Sequence, residues 1–330
     1  MSIKSKTKIV CISIVLLTLC FWLISVYWST EPKNIDLKAA LAKHVTSENQ
    51  QKVTGSLTTS TLIEIINVIT EKQGGFISND ISPPGVLMDN MPNWEYGALV
   101  QVRDLVRAMR DNISRSQSQS QEDKDLMKAE SRLNISHKSW AMPDAKDEYQ
   151  LAARHLQSYL ARLSEVDQKQ AQFYARADNL SFWLALVEVR LGSLSQRLTA
   201  SVGRKRLNTD LSGDTAAKQS TPNSKEEFIK TPWLLIDDVF YESRGSTWAL
   251  VQLLRAIEVD FADVLENKNA KVSLAQIIRE LEATQQSILS PWVLNGSGFG
   301  LFANYSLVMA SYISRANAGI IDLRDLLQRG

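Results

Sequence analysis

The chain of 330 residues has little cysteine, proline or glycine, and each scarcity excludes a class of protein. With Gly 14 and Pro 8, it has neither the glycine repeat of a collagen-like chain nor the bias of a disordered one. Both cysteines, Cys11 and Cys20, lie in one apolar stretch, so the rest of the chain cannot form a disulfide. Lys+Arg 37 and Asp+Glu 36 nearly cancel. Without Lys4, Lys6 and Lys8 the remainder is slightly acidic, which argues against a general attraction for nucleic acid.

Motifs that would identify a reaction are also missing. His44, His137 and His155 are far apart, and none has a Glu or His at helical ligand spacing. We therefore expect no metal site and no cofactor. The glycine-rich stretch from Gly296 to Gly300 follows no strand and precedes no lysine, so it predicts a loop rather than a phosphate cradle. The sequence assigns no catalytic residue and favours a protein without catalytic activity.

The 20 residues from Ile9 to Trp28 contain no charge. As a helix they rise about 30 Å at about 1.5 Å per residue, which matches the apolar thickness of a bilayer. A cleaved signal peptide is the alternative, but its apolar region is shorter and ends at small residues. Here the stretch ends at the bulky Tyr27 and Trp28, which suit a membrane interface. The pattern predicts an uncleaved transmembrane anchor.

Lysines on the short amino-terminal side set the expected orientation of this anchor. Lys4, Lys6 and Lys8 precede it, and no acidic residue occurs before Glu31. Because basic residues are retained on the cytoplasmic side, we expect a cytoplasmic amino terminus with the bulk of the chain across the membrane.

The remainder predicts an all-α fold, because apolar residues recur three and four positions apart and no run of alternating β-branched residues appears. We divide the chain into a cytoplasmic tail (1–8), the anchor (9–28), a juxtamembrane segment (29–56), a first helical unit (57–202), a polar linker (203–224) and a second helical unit (225–330). Outside one long helix, helices are predicted from Leu57 to Lys72, Asn93 to Asn112 with Asn93 as its cap, Glu122 to Asn134, Trp233 to Glu242, Ser246 to Glu266, Ser273 to Leu289 and Asn304 to Gln328.

The long helix is predicted from Asp144 to Val202. Apolar residues occur there alternately three and four positions apart, and only Gln170 interrupts them. This spacing is typical of a coiled-coil seam, and an unbroken helix would be about 88 Å long. The alternative is a break near Asp178 and Asn179 that gives two stacked helices.

Short segments recur in the same order in both halves, which predicts two tandem-repeated helical units. Chance supplies single matches of this length, but the shared order favours a repeat packed about a pseudo-twofold axis. The matched pairs are 84–89 with 232–237, 98–101 with 249–252, and 158–162 with 311–315.

One polar cluster stands out as a weak candidate for binding: Asp237, Asp238, Glu242, Arg244 and Trp248. On a helix Asp238 and Glu242 share a face, so their like charges would raise the pKa of one carboxyl, as a general acid requires. The alternative, which we favour, is that the carboxylates pair with Arg244 and fix a helix junction.

Glu242 followed by Ser243 also resembles the entry to the active site of lytic transglycosylases. These enzymes carry a Gly-Leu-Met-Gln stretch downstream, where this chain has only Ala249 to Gln252, and too early. The departure puts that activity in doubt.

Eight longer segments carry a resemblance to a known family: 74–85, 89–94, 116–121, 174–180, 231–233, 236–241, 295–300 and 306–321. Together they resemble a bacterial family of single-pass inner-membrane proteins that is catalogued only as a domain of unknown function. The resemblance covers nearly the whole chain and implies a Gram-negative envelope protein, with no reaction, substrate or site residue attached.

We therefore expect an anchored protein of the bacterial inner membrane with a large periplasmic helical bundle, acting as an envelope scaffold or interaction module. Its partners would be the bilayer, through Ile9 to Trp28, and envelope proteins or a second copy, and not nucleic acid. The alternative is a peptidoglycan-active enzyme that uses Glu242. A sensor is a third possibility, although the short tail leaves no room for a cytoplasmic signalling domain.

Overall fold

The computed structural model describes residues 3–45, 50–116, 121–165, 170–207, 226–288, 290 and 292–329. It confirms the all-α prediction: the described residues form eleven α-helices and one two-stranded hairpin. The helices are α1 (Ile3–Trp28), α2 (Leu37–His44), α3 (Ser56–Glu71), α4 (Asn90–Ala108), α5 (Lys124–Leu133), α6 (Ala145–Ser164), α7 (Ala177–Thr199), α8 (Ile236–Asp260), α9 (Ala262–Asn267), α10 (Lys271–Ala283) and α11 (Tyr305–Gln328).

The first helix, α1, contains the predicted anchor. Its part from Thr7 to Trp28 is long and apolar enough to cross a membrane, and none of that stretch is buried. The other helices enclose one apolar core, to which both predicted helical units contribute.

Aspartate and asparagine side chains begin several of these helices, as sequence capping rules require. Asp123 and Asp144 cap α5 and α6, and Asn304 caps α11. The predicted cap of α4, Asn93, is wrong. The Asp89 side chain caps the helix by accepting a hydrogen bond from the Asn90 amide, and Asn93 lies inside the first turn. Pro92 is tolerated there because amides of the first turn have no partner within a helix.

The predicted linker contains a short strand that the sequence analysis missed. Strand β1 (Arg204–Leu207) pairs antiparallel with β2 (Glu226–Ile229), with Arg204 opposite Ile229. The remaining part of the linker, 208–224, lies outside the described residues.

The long helix from Asp144 to Val202 is not continuous, so that prediction is wrong. Helix α6 ends at Ser164 and α7 begins at Ala177, which places the interruption before the suggested break at Asp178 and Asn179. Around Gln170 the chain turns back over α6, where Arg162 donates to the Gln170 carbonyl and Tyr159 donates to that of Gln172. The apolar residues of the predicted seam on both helices pack in the common core. Their spacing therefore marks the core-facing side of each helix and not a coiled coil.

Two other predicted helices are one. The segments from Trp233 to Glu242 and from Ser246 to Glu266 belong mainly to α8, which runs through Gly245 without a break, preceded by a 3-10 turn at Trp233–Leu235. Gly245, in the gap between the two predicted helices, makes a close contact with α4.

That contact is made backbone to backbone. A Cβ atom at Gly97 would lie 2.0 Å from the Glu242 carbonyl oxygen, and one at Gly245 would lie 1.9 Å from that of Trp94. The side chain of Asn93 donates a hydrogen bond to Asp238, and that of Gln101 donates one to Ser246. Both pairs are separated by 145 positions. Because the partner on α8 advances as the residue on α4 advances, the two helices run in the same direction.

The two halves pair their helices in the same way, which supports a tandem repeat. The two halves are α3–α6 and α7–α11, so α7, which the predicted first unit (57–202) contains, belongs to the second half of the repeat. In the first half α3 and α5 each pack on α4 and α6, and in the second half α7 and α10 each pack on α8 and α11. Across the halves α4 packs on α8, α3 on α8 and α7 on α4. A parallel pair in which equivalent helices face each other is the arrangement a pseudo-twofold axis produces.

Gly97 and Gly245 also correct one matched pair of segments. They occupy equivalent places in the contact, and the same shift relates the 3-10 turn at Gly85–Leu87 to the one at Trp233–Leu235. The match of 98–101 with 249–252 is therefore wrong by nearly one helical turn.

We expect Gly97→Ala to lower the free energy of unfolding by about 2 kcal/mol or more, because a backbone carbonyl cannot move out of the way as a flexible side chain can. Gly192→Ala on α7 is the matched control, since its Cβ would meet only the Asn317 amide at 3.6 Å. There the better helix propensity of alanine adds up to about 1 kcal/mol. Thermal unfolding of the detergent-solubilised chain, followed by circular dichroism, compares the two variants. Equal unfolding temperatures would contradict the close contact.

Candidate functional site

The polar cluster singled out from the sequence occupies the first half of α8, but its side chains do not form one site. Four of them lie in different environments, described below, and the fifth, Asp237, is half-buried beside Asp238 in the first turn of α8. The five residues are Asp237, Asp238, Glu242, Arg244 and Trp248.

Glu242 is held by α7. Both of its carboxylate oxygens accept hydrogen bonds from Arg197, at 2.7 Å to Nη1 and 2.5 Å to Nη2. The hydrogen bond to Glu242, together with its charge, raises the pKa of Arg197. With both oxygens engaged by a guanidinium, the side chain is placed to join α7 to α8 rather than to protonate a substrate.

Arg244 pairs with a residue outside the cluster, so the expected pairing with its neighbouring carboxylates is wrong. Its Nε and Nη2 atoms donate to the carboxylate of Glu31 at 2.7 Å and 2.5 Å. Its Nη1 atom donates to the carbonyls of Thr284 and Gln286, at 2.9 Å and 3.0 Å. The guanidinium is buried and all of these bonds converge on it, so it joins the segment after α1 to α8 and to the end of α10.

Further contacts extend this junction along the juxtamembrane segment. The Gln252 side chain donates to Asn34 at 2.9 Å and accepts from the Ile35 amide at 3.3 Å. At the end of α1, the Trp28 ring packs directly against Gly74. A Cβ atom built on Gly74 would lie only 2.6 Å from the nearest atom of that ring. The chain that leaves α1 is therefore packed onto the helical domain from its first residues.

Trp248 lies in the core and not at a surface. Its ring contacts that of Trp94 on α4, with centroids 5.0 Å apart, and it is almost fully buried. The side chain contributes to the packing between the two halves and is inaccessible to a ligand.

Asp238 lines a cleft between the start of α4 and the start of α8, which we call the α4–α8 cleft. Its volume is about 450 Å³, and Asp89, Asn93, His137 and Lys138 are among its other lining residues. Asn93 donates to Asp238 at 2.8 Å. The cleft thus offers carboxylate acceptors, an amide and one ammonium group to a ligand.

Burial shifts the pKa values of two of these groups in opposite directions. It raises the pKa of Asp238 to about 6, with smaller contributions from the charges of Asp89 and Asp237. It lowers the pKa of His137 to about 4, and Lys138 adds to that shift. The Glu242 charge is the smallest contribution to the Asp238 shift, so the predicted effect of two like charges on one helix face is present but minor. Within the described residues no group of three or more metal-binding side chains is placed to hold an ion.

A buried ion pair behind this cleft was missed by sequence reasoning. Lys72 contacts Glu95 at 2.5 Å, and Glu95 also accepts from the amides of Ile77 and Ser78. Burial raises the pKa of Glu95, while the charge of Lys72 opposes the shift. The pair holds the turn after α3 against α4, and no periodicity marks either residue.

We expect Asp238→Asn to gain stability relative to wild type as the pH rises. Burial raises the pKa of Asp238 in the folded protein to about 6, above the ordinary value of an aspartate of about 4. The carboxyl therefore ionises first in the unfolded chain, and the fold loses stability as the pH rises from about 4 to about 6, whereas below that range the carboxyl is protonated in both states and costs nothing. Because the group is only half-buried, we expect a difference of order 1 kcal/mol at pH 8 and none at pH 4.

Chemical unfolding of the full chain in detergent at both pH values measures this difference. Asp322→Asn, an exposed substitution on α11, is the matched control and should show no such dependence. A stability difference for Asp238→Asn that stays constant from pH 4 to pH 8 would contradict the assigned shift.

Comparisons with known proteins agree with the bacterial resemblance. No curated protein and no solved structure matches the chain. One family model, DUF2333, matches residues 1–330 and carries the description of an uncharacterized protein conserved in bacteria. The chain therefore belongs to the bacterial family DUF2333.

Proposed function

We propose that the protein is a membrane-anchored scaffold of the bacterial envelope that acts through protein contacts and not through catalysis. In this proposal α1 spans the inner membrane with the amino terminus in the cytoplasm, and the helical domain lies in the periplasm. Lys4, Lys6 and Lys8 ahead of the apolar stretch support this orientation.

The observation that carries the proposal is the junction between anchor and domain. Glu31 follows α1 by only a few residues and is bound to the buried Arg244 by two short hydrogen bonds. Removing one partner of such a pair leaves the other charge buried and unpaired, which is strongly unfavourable. A domain joined in this way stands at a defined height and orientation above its anchor, as a platform for partners requires.

A cell-wall enzyme that uses Glu242 gains no support from the geometry. Both oxygens of that carboxylate are occupied by Arg197. The one hydroxyl among the residues that line the α4–α8 cleft, that of Ser78, donates to the buried Glu95, which is itself paired with Lys72.

The orientation is tested by reporters fused after Gly330. An enzyme that is active only in the periplasm should be active there, and one that is active only in the cytoplasm should be silent. The matched fusion of each reporter to residues 1–8 alone is the control, since it lacks the anchor. The opposite pattern would contradict the proposed topology.

Partner binding is tested by photo-crosslinking in living cells. Val189, Val259 and Val272 are well exposed and lie on α7, at the end of α8 and at the start of α10, so that each reports on a different part of the surface. We expect a photo-reactive residue to capture a defined envelope protein or a second copy at one position and not at the others.

Two outcomes would contradict the scaffold. One is the absence of any adduct at all three positions in cells that contain the protein at its normal level. The other is release of muropeptides from cell-wall sacculi by the purified full chain, if Glu242→Gln abolishes that release.

A further inference from the structure

Large apolar side chains are exposed on four loops that surround one end of the helical domain. Phe299 and Leu301 are fully exposed, as is Met142, and Leu87 and Trp233 are more than three-quarters exposed. We call these four segments, residues 81–87, 140–142, 233–235 and 292–302, the apolar loop end. Its exposed side chains are Ile81, Val86, Leu87, Trp140, Met142, Trp233, Leu234, Leu235, Trp292, Phe299, Leu301 and Phe302.

Tryptophan shows the contrast with the rest of the domain most clearly. Trp94, Trp183 and Trp248 are buried in the core. Trp140, Trp233 and Trp292 are exposed, and all three lie on the apolar loop end. Soluble domains rarely expose so much apolar surface together, because burying it is favourable by about 25 cal/mol per Å².

The four loops lie at the same end because the helices that they flank all begin or end there. Helices α4 and α8 run in the same direction, and residues 81–87 and 233–235 directly precede them. Asn79 donates to the Ser139 carbonyl at 3.0 Å, which brings residues 140–142 to this end. Asn295 donates to the Ser201 carbonyl at 3.3 Å, which does the same for residues 292–302.

The anchor joins the domain at this end too. Trp28 packs on Gly74, which follows α3, and the neighbouring Lys72 is paired with Glu95 in the second turn of α4. After Trp28 the chain follows α8 away from this end, because Glu31 is hydrogen-bonded to Arg244 and Asn34 to Gln252, about two turns further along that helix.

We propose that the apolar loop end rests in the interface of the same bilayer that α1 spans, so that the domain lies against the membrane. The proposal rests on the membrane anchoring proposed above. Tryptophan and other aromatic side chains favour the interface between lipid headgroups and acyl chains, where an apolar ring is covered and its polar edge stays hydrated.

Lipid fits this surface better than a single protein partner does. The apolar side chains project from four separate loops, two in each half. They lie at the end of the domain at which the chain leaves α1, so a bilayer that holds α1 meets them without a separate binding event.

Apolar burial, and not lipid charge, should dominate this contact. Asp80, Asp89 and Asp237 lie between the loops and would repel anionic headgroups. We therefore expect the contact to form with zwitterionic phospholipid as well, and to persist at high salt, which screens charge interactions and leaves apolar ones in place.

The test uses the full chain in vesicles of zwitterionic phospholipid, with single cysteines that carry an environment-sensitive fluorophore. Phe299→Cys and Leu234→Cys report on the apolar loop end, in a chain in which Cys11 and Cys20 are replaced by serine. Val272→Cys, equally exposed but at the opposite end of the domain, is the matched control. We expect lipids brominated on their acyl chains to quench the first two labels at least about threefold more than the third.

A label on the native Cys20, within the anchor, separates this proposal from the anchoring on which it rests. If Cys20 is quenched but Phe299→Cys and Leu234→Cys are quenched no more than Val272→Cys, the apolar loop end does not touch lipid and the proposal fails alone. If Cys20 is not quenched either, the membrane anchoring itself fails. Labels at 299 and 234 that are shielded from aqueous iodide but not quenched by lipid would show that a protein covers this end, which also overturns the proposal.

Discussion

The structure depends on the close parallel contact between α4 and α8. Gly97 and Gly245 let the two backbones meet. The other helices of the domain pack either on α4 or α8 or on a helix that does. The same contact brings the starts of both helices together. The α4–α8 cleft, the Arg244 junction and the apolar loop end all lie near those starts, so their geometry is set by how closely two glycines allow the chain to approach itself.

Charge is used in this protein mainly to join segments. Arg244 with Glu31, Arg197 with Glu242 and Lys72 with Glu95 each connect elements that are distant in sequence or separated by a turn. The two pairs with a buried cation, Arg244 with Glu31 and Lys72 with Glu95, add little net stability, because desolvation offsets their attraction, but they penalise any arrangement that separates the partners. Their role here is to select one arrangement of anchor, turn and helix.

Sequence patterns predicted what is local and failed where distant contacts decide. The apolar stretch of α1 and the limits of α3, α5 and α11 follow from hydropathy, spacing and caps within a few residues. The apparent seam from Asp144 to Val202 failed, because apolar spacing identifies a buried face without saying what covers it. The predicted pairing of Arg244 with its neighbouring carboxylates is wrong, because its partner Glu31 lies 213 positions away and nothing in the neighbouring sequence indicates it. The predicted break between Glu242 and Ser246 is wrong, because Gly245 serves the contact with α4 and does not end a helix.

The repeat places two similar halves face to face, as in a homodimer whose subunits have been fused. Fusion keeps the halves together at any dilution, since each meets the other at the high local concentration that a covalent link provides. It also frees matched positions to diverge. Glu95, which binds Lys72, corresponds to Ser243, and Arg244, which binds Glu31, corresponds to Tyr96. At these positions one half binds its own turn through Glu95 and the other binds the segment after the anchor through Arg244, a difference that two identical subunits could not have.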